Sequence, residues 1–152
     1  MNVSGEIVKK QLLEMLEETF ERGHGIFLDR GTSLFETIET INFEKASRHF
    51  HGIPETIAAH VNHLVFYTVV LKEYISGTRT GPADWASSWK LTEVDEAGWN
   101  ALKDRLREEY EATKKFAADI DRWKNEDYLG GCIAIIAHGA FHLGIIRMLK
   151  DF

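Results

Sequence analysis

Apolar side chains recur every three or four residues along four stretches of this chain, the period of helices with one face turned inward. The first stretch runs from about Ser4 to Arg22, with Val8, Leu12, Met15 and Thr19 on one stripe and Leu13, Leu16 and Phe20 beside it; Gly23 and Gly25 stop it. The second starts at Pro54, which suits a first helical turn, and extends to about Ser76, with Gly77 as its C-terminal stop. Its inward stripe is Ala59, His63, Phe66, Tyr67, Val70 and Tyr74, with His60 adjoining. The third begins near Thr92, paired with Asp95 in a capping-box pattern, and continues through Trp99, Leu102, Leu106, Tyr110, Thr113, Phe116, Ile120 and Trp123 to about Lys124. The fourth covers about Tyr128 to Lys150, after an Asn125-Glu-Asp127 joint that supplies an N-cap.

Shorter elements fill the first connection. Ser33-Leu-Phe-Glu36 has the capping-box spacing that opens a short helix, and Asn42 to Phe50 forms another. The Thr78 to Leu91 segment, with Gly81-Pro82 and two tryptophans, is long enough to cross from one end of a bundle to the other, so the second and third helices can run parallel. The short 125–127 joint folds the fourth helix back antiparallel to the third. No strand alternation, repeat or linker interrupts the pattern. The expectation is an all-α chain, a single four-helix bundle domain over residues 1–152.

Composition narrows the class. With 44% hydrophobic and 28% charged residues and two prolines in 152 positions, the chain has the make-up of a globular protein and not of a disordered one. A formal charge of −6 argues against a general nucleic-acid binder, which needs clustered Lys and Arg. The N-terminus lacks the apolar stretch of a signal peptide and no uninterrupted apolar run reaches the length of a membrane span, so a cytoplasmic protein with no membrane partner is expected. Cys132 is the only cysteine; it can form no internal disulfide or cysteine-based metal cluster, and it reads as a small buried hydrophobe.

The most specific chemistry lies in the fourth helix. Its stripe of Gly131, Ile135, His138, His142, Ile145 and Leu149 places two histidines four residues apart on one inward face. A lone buried histidine is usually only a satisfied core residue, but this pair faces a second, His60 and His63, on the second helix. Three neutral imidazoles suit zinc, nickel or ferrous iron and leave a coordination position open. An open position allows an ion to polarise a carbonyl or to lower the pKa of a bound water or thiol. This is not the short zincin motif, because residue 139, where its glutamate base would stand, is glycine.

Across nearly its whole length the chain resembles the DinB/YfiT-like metalloenzyme family. The likeness is carried by Thr56-Ile-Ala-Ala-His-Val-Asn-His-Leu-Val-Phe-Tyr67, by His138-Gly-Ala-Phe-His-Leu-Gly144 and by the Trp85 to Trp99 segment. The resemblance implies an up-down-down-up bundle in which His63, His138 and His142 bind a divalent metal, zinc or nickel. It also implies a homodimer and, in some branches, thiol S-transferase or thiol-dependent isomerase activity with a low-molecular-weight thiol as cosubstrate. A hydrolase acting on a small-molecule substrate, or a non-catalytic stress-response or interaction protein with a structural metal, are the alternatives. Gly139 and Phe141 stand where that family often has Asp and Tyr, and Ile145 where it often has Gln; these changes spare the ligands and alter their surroundings. His60, where relatives often carry an acid, is a fourth ligand, a proton carrier or a partner of His63.

Other candidates have plainer explanations. His24, His49 and His51 lie in connecting segments and receive no ligand role. Trp85 and Trp89 close the end of a core or form a lid over the metal. Glu108 to Glu111 with Lys114 and Lys115 form a solvated helix face, and Gly130-Gly131 lacks the strand and spacing of a phosphate loop.

Overall fold

The computed structural model describes residues 4–119 and 126–152. Helix α1, Gly5–Phe20, starts where Ser4 caps the Ile7 N–H and buries Leu12, Leu16, Thr19 and Phe20. It stops two residues before Arg22 because Glu21 and Arg22 both turn their N–H groups to the Glu17 carbonyl and the chain then wraps a buried carboxylate. That carboxylate, Glu18, accepts N–H groups from His24, Gly25, Ile26, Phe27 and Leu28.

Helix α2, Leu34–Ile38, has both halves of the expected capping box, and Glu36 also accepts the Gly23 N–H at 3.2 Å. Helix α3, Phe43–Ala46, is capped by Asn42 and is shorter than the Asn42 to Phe50 expectation. The Ser47 hydroxyl donates to the Val94 carbonyl and accepts the Val94 N–H, which ties the chain to the segment before α5 (Glu96–Ala118) in place of a further helical turn.

Helix α4, Ile57–Ser76, begins three residues after Pro54, not on it. Thr56 is the cap: its Oγ1 accepts the Ala59 N–H and donates to the Thr92 carbonyl at 2.7 Å. Gly77 ends α4 in the left-handed region, φ 73°, a conformation glycine adopts without a Cβ penalty. The expected Thr92–Asp95 capping box does not form. Asp95 caps α5 alone by accepting the Gly98 N–H at 2.7 Å, and the Thr92 carbonyl serves α4 instead. Helix α5 ends at Ala118; the expected continuation to Lys124 and the Asn125 cap fall outside the described residues. Helix α6 runs Glu126–Asp151.

Among the described residues the fold is all-helical: six α-helices, a 3-10 turn at Trp85–Trp89, and one isolated bridge between Phe50 and Ile53. Helices α1 and α4 each pack against both α5 and α6, so every long helix lies between two others. Helices α5 and α6 meet where the rings of Phe116 and Tyr128 stack at 4.6 Å. One continuous core draws on all six helices, from Leu12 and Leu16 through Ile38, Ala46, Val61 and Leu64 to Leu106, Ile135 and Leu149. The core face of α4 is Ile57, Val61, Leu64, Val65 and Thr68, while the expected inward residues Phe66 and Tyr67 are half-buried and Tyr74 is exposed. Packing on two sides gives α4 two inward faces, and the histidines occupy the one turned to α6.

Helix α6 is long and apolar even though two histidines interrupt its apolar run. One 18-residue window has a mean hydropathy of 1.8, enough by length and composition to cross a membrane, and 44% of that window is buried against the rest of the chain. A core helix packed on two neighbours has the same composition.

Candidate metal centre

Helix geometry assembles the site. His60 and His63 lie one turn apart on α4, and His138 and His142 one turn apart on α6, with the last pair's ring centroids 4.4 Å apart. The His63 ring reaches both: its centroid is 5.1 Å from that of His138 and 5.1 Å from that of His142. One nitrogen from each of His63, His138 and His142 lies within 4.8 Å of the other two, and this is the one group of ligating side chains that converges among the described residues. His63 Nε2 and His138 Nε2 are 3.1 Å apart, near the roughly 3.3 Å between two ligand atoms of one tetrahedral zinc. The donor set fits a divalent cation.

The protonation states suit the same role. Burial pushes His60 down to about 4, and His63 down to about 4 with His138 and His60 adding to the effect. His142 is pushed down to about 3, by burial first and then by His138, His60 and His63; His138 is lowered by burial. At neutral pH all four rings are uncharged and each has one lone pair to offer. Contacts at Nδ1 show which nitrogen is left over on two of the rings. His63 Nδ1 lies 2.7 Å from Ser88 Oγ and His142 Nδ1 lies 2.9 Å from His60 Nδ1, so Nε2 is the unengaged nitrogen of His142 and the one His63 turns to His138.

Aromatic rings wall the site. Trp89 stacks on His63 at 3.9 Å and Tyr67 on His138 at 3.7 Å, while Trp85 lies edge-on to Phe66. Trp85 is 40% exposed and Phe141, edge-on to His142, is 63% exposed, so solvent reaches the aromatic rim but barely the buried His142 and His63. The Tyr67 phenol is pushed up by burial and keeps its proton at neutral pH.

No protein-family model, curated protein or solved structure matches this chain. The functional assignment therefore rests on the site itself. His63, His138 and His142 come together as expected. His60 does not pair with His63 as one option had it; its polar partner is His142. His24 bonds Glu17 and His49 lies 3.7 Å from Glu93, both at the surface, and His51 is exposed in a turn. Cys132 is buried, and burial pushes its thiol up to about 11, which makes it a poor nucleophile.

An apolar groove of about 650 Å³ lies elsewhere, between α1 and α6, and is lined by Ile7, Leu12, Met15, Phe27, Ile133 and others, with no histidine. Sequence reasoning missed Ser88, Asn62 and the stacking role of Tyr67. The four-residue step from His63 to Tyr67 was an available signal. Nothing in Trp85-Ala-Ser-Ser-Trp89 distinguishes Ser88 from Ser87 until the 3-10 turn aims one of them at a ring.

Proposed function

We propose that this chain is a DinB-like metal-binding protein, its long helices a four-helix bundle of up-down-down-up course, in which His63, His138 and His142 hold one divalent cation, zinc or nickel. We take the site to be an enzyme's: a thiol or water is activated there for transfer to, or hydrolysis of, a small electrophilic substrate. What supports this is the convergence of three buried, neutral imidazoles within 4.8 Å, with the sequence resemblance beside it.

When bound, such a cation supplies Lewis acidity, which lowers the pKa of a water or thiol into the neutral range. The chain's own residues do the rest. Three imidazoles bring no charge, so the cation keeps its full positive character. Trp89 and Tyr67 cover one face each of His63 and His138 and keep bulk water from them. The protonated Tyr67 phenol is a hydrogen-bond donor beside the rim. A low-molecular-weight thiol is the natural cosubstrate for transfer.

A structural role for the ion is the second reading. It is favoured by the way the ligands join α4 to α6, while the apolar groove of about 650 Å³ lies away from them. For the exposed apolar strip along α6 and the α1 groove, including Ile7, Ile133 and Phe141, we propose a second copy of the chain as partner.

The deciding experiment is elemental analysis of protein purified without an affinity tag or added metal, followed by a thiol-transfer and hydrolysis panel on the loaded form. About one equivalent of metal per chain is expected, lost in His138→Ala and in His142→Ala. Unchanged occupancy in both variants would contradict the assignment; occupancy with no turnover across the panel would favour the structural role.

A further inference from the structure

The structure assigns Ser88 as the residue that fixes which nitrogen of His63 is free. The consequences for zinc affinity and for the tautomer of His138 rest on the metal-site reading above. Ser88 is buried in the Trp85–Trp89 turn, and its single hydroxyl proton is committed: Oγ–H donates to the Trp85 carbonyl at 2.6 Å, and a carbonyl can only accept. The contact of 2.7 Å between Ser88 Oγ and His63 Nδ1 must then run the other way, with Nδ1–H donating to the hydroxyl oxygen. His63 is thereby held as the Nδ1–H tautomer, its Nε2 lone pair directed to His138 Nε2 at 3.1 Å.

The clamp closes on both sides. Asn62, the residue before His63 on α4, donates its side-chain N–H to the Ser88 carbonyl at 2.7 Å and pins the turn that pins the ring. Trp89 of the same turn lies flat on the imidazole, 15° from parallel, and blocks its rotation. Such partners on the far nitrogen fix the tautomer and orientation of a metal-binding histidine. Ser88 is a positioning residue, since it acts through His63.

A consequence follows for the partner ring. Two lone pairs cannot face each other at 3.1 Å, so without a cation His138 carries its proton on Nε2 and donates it to His63 Nε2. For both rings to ligate through Nε2, His138 alone must change tautomer, its proton moving from Nε2 to Nδ1 by way of water. His63 keeps the form it already has.

Residue-assigned long-range ¹H–¹⁵N spectra of the imidazoles, recorded on the full metal-free chain and then with Zn²⁺, test this. The expected result is Nδ1–H for His63 in both states, with a change of tautomer at His138. Ser88→Ala is expected to return His63 toward Nε2–H and to weaken zinc binding about 10- to 100-fold. Ser88→Thr, which keeps the hydroxyl, restores the Nδ1–H form. Ser87→Ala changes neither, because the Ser87 hydroxyl donates to the Asp84 carbonyl. An Nε2–H His63 in the metal-free wild type, or equal effects of Ser87→Ala and Ser88→Ala, would overturn the role of Ser88. The first result together with tight zinc binding would spare the metal site. A Ser88-dependent Nδ1–H His63 in a chain that binds no zinc would sustain the inference and remove the metal reading.

Discussion

Glu18 is a fully buried carboxylate in the last turn of α1. Burial pushes its pKa up, but the backbone N–H groups of Leu28, Ile26, Gly25 and His24 outweigh that and hold it below the usual 4.5. One oxygen, Oε1, accepts four of the five bonds and Oε2 takes Phe27, so the loop over 24–28 is organised around one charge. In Glu18→Gln one oxygen becomes an NH₂ that meets N–H groups head-on; a loss of about 1–3 kcal/mol in urea unfolding at pH 7 is expected. The pH dependence has a definite sign. A depressed folded-state pKa means the unfolded chain takes up the proton first as pH falls, so the Glu18 contribution is complete above 4.5 and is lost as pH drops through the folded value. Glu21, through the Tyr110 hydroxyl bond, and Glu36, through the Gly23 and Ser33 N–H groups acting against burial, are lowered too. Wild type should therefore lose stability steeply below pH 4.5, and Glu18→Gln less steeply; parallel curves would deny Glu18 this role.

At the scale of elements, α6 explains why a helix with a histidine pair has glycine between them. A Cβ at Gly139 would lie 2.8 Å from the Phe20 ring and 3.1 Å from Thr19 Cγ2, where α1 crosses α6. Phe20 cannot easily yield, because it stacks on Tyr110 at 5.7 Å inside the core. An acid at 139, as in the zincin motif, has no room here. Gly144 faces open space on the same helix. Gly139→Ala should therefore cost about 1–3 kcal/mol by overpacking, while Gly144→Ala should gain about 0.5–1 kcal/mol from helix propensity, both read in thermal or urea melts. Equal gains in the two would mean that α1 is not held against α6 at that point. The same contrast shows what the sequence could and could not tell. Elements set by local chemistry were legible: the Ser33 capping box, the helix starts at Ser4 and Asn42, the Gly77 stop and the inward histidine pairs all depend on neighbours in the chain. The starts of α4 and α5 were not: Pro54 and Thr92 competed with the true caps Thr56 and Asp95, and the Thr92 carbonyl, thirty-six residues from Thr56, accepts the Thr56 hydroxyl in a tertiary hydrogen bond. Ser88 was hidden for the same reason: its role exists only once the 3-10 turn lies against α4.

For the whole molecule, 75 residues separate His63 from His138, yet the three candidate ligands sit in one place because α4 and α6 pack together. An ion there would cross-link two helices that also carry the core's Val61, Leu64, Ile135 and Leu149. Binding to the folded chain alone stabilises it by about 2.7 kcal/mol when free metal is a hundredfold above Kd. For a chain of this size that corresponds to a rise in melting temperature of roughly 5–10 °C. The rise should grow with the logarithm of zinc concentration, reverse on chelation and vanish in His63→Ala, His138→Ala and His142→Ala. His60→Ala should keep most of it, since His60 touches the site through His142 and not through the convergent group. The four variants separate the possible roles of the rings: if His60→Ala abolishes the shift while His63→Ala leaves it, the ion sits between His60 and His142, on the other side of the α6 pair. If zinc moves none of the melting curves, wild type included, the joint between α4 and α6 is held by packing alone and the four imidazoles are a polar seam in the core.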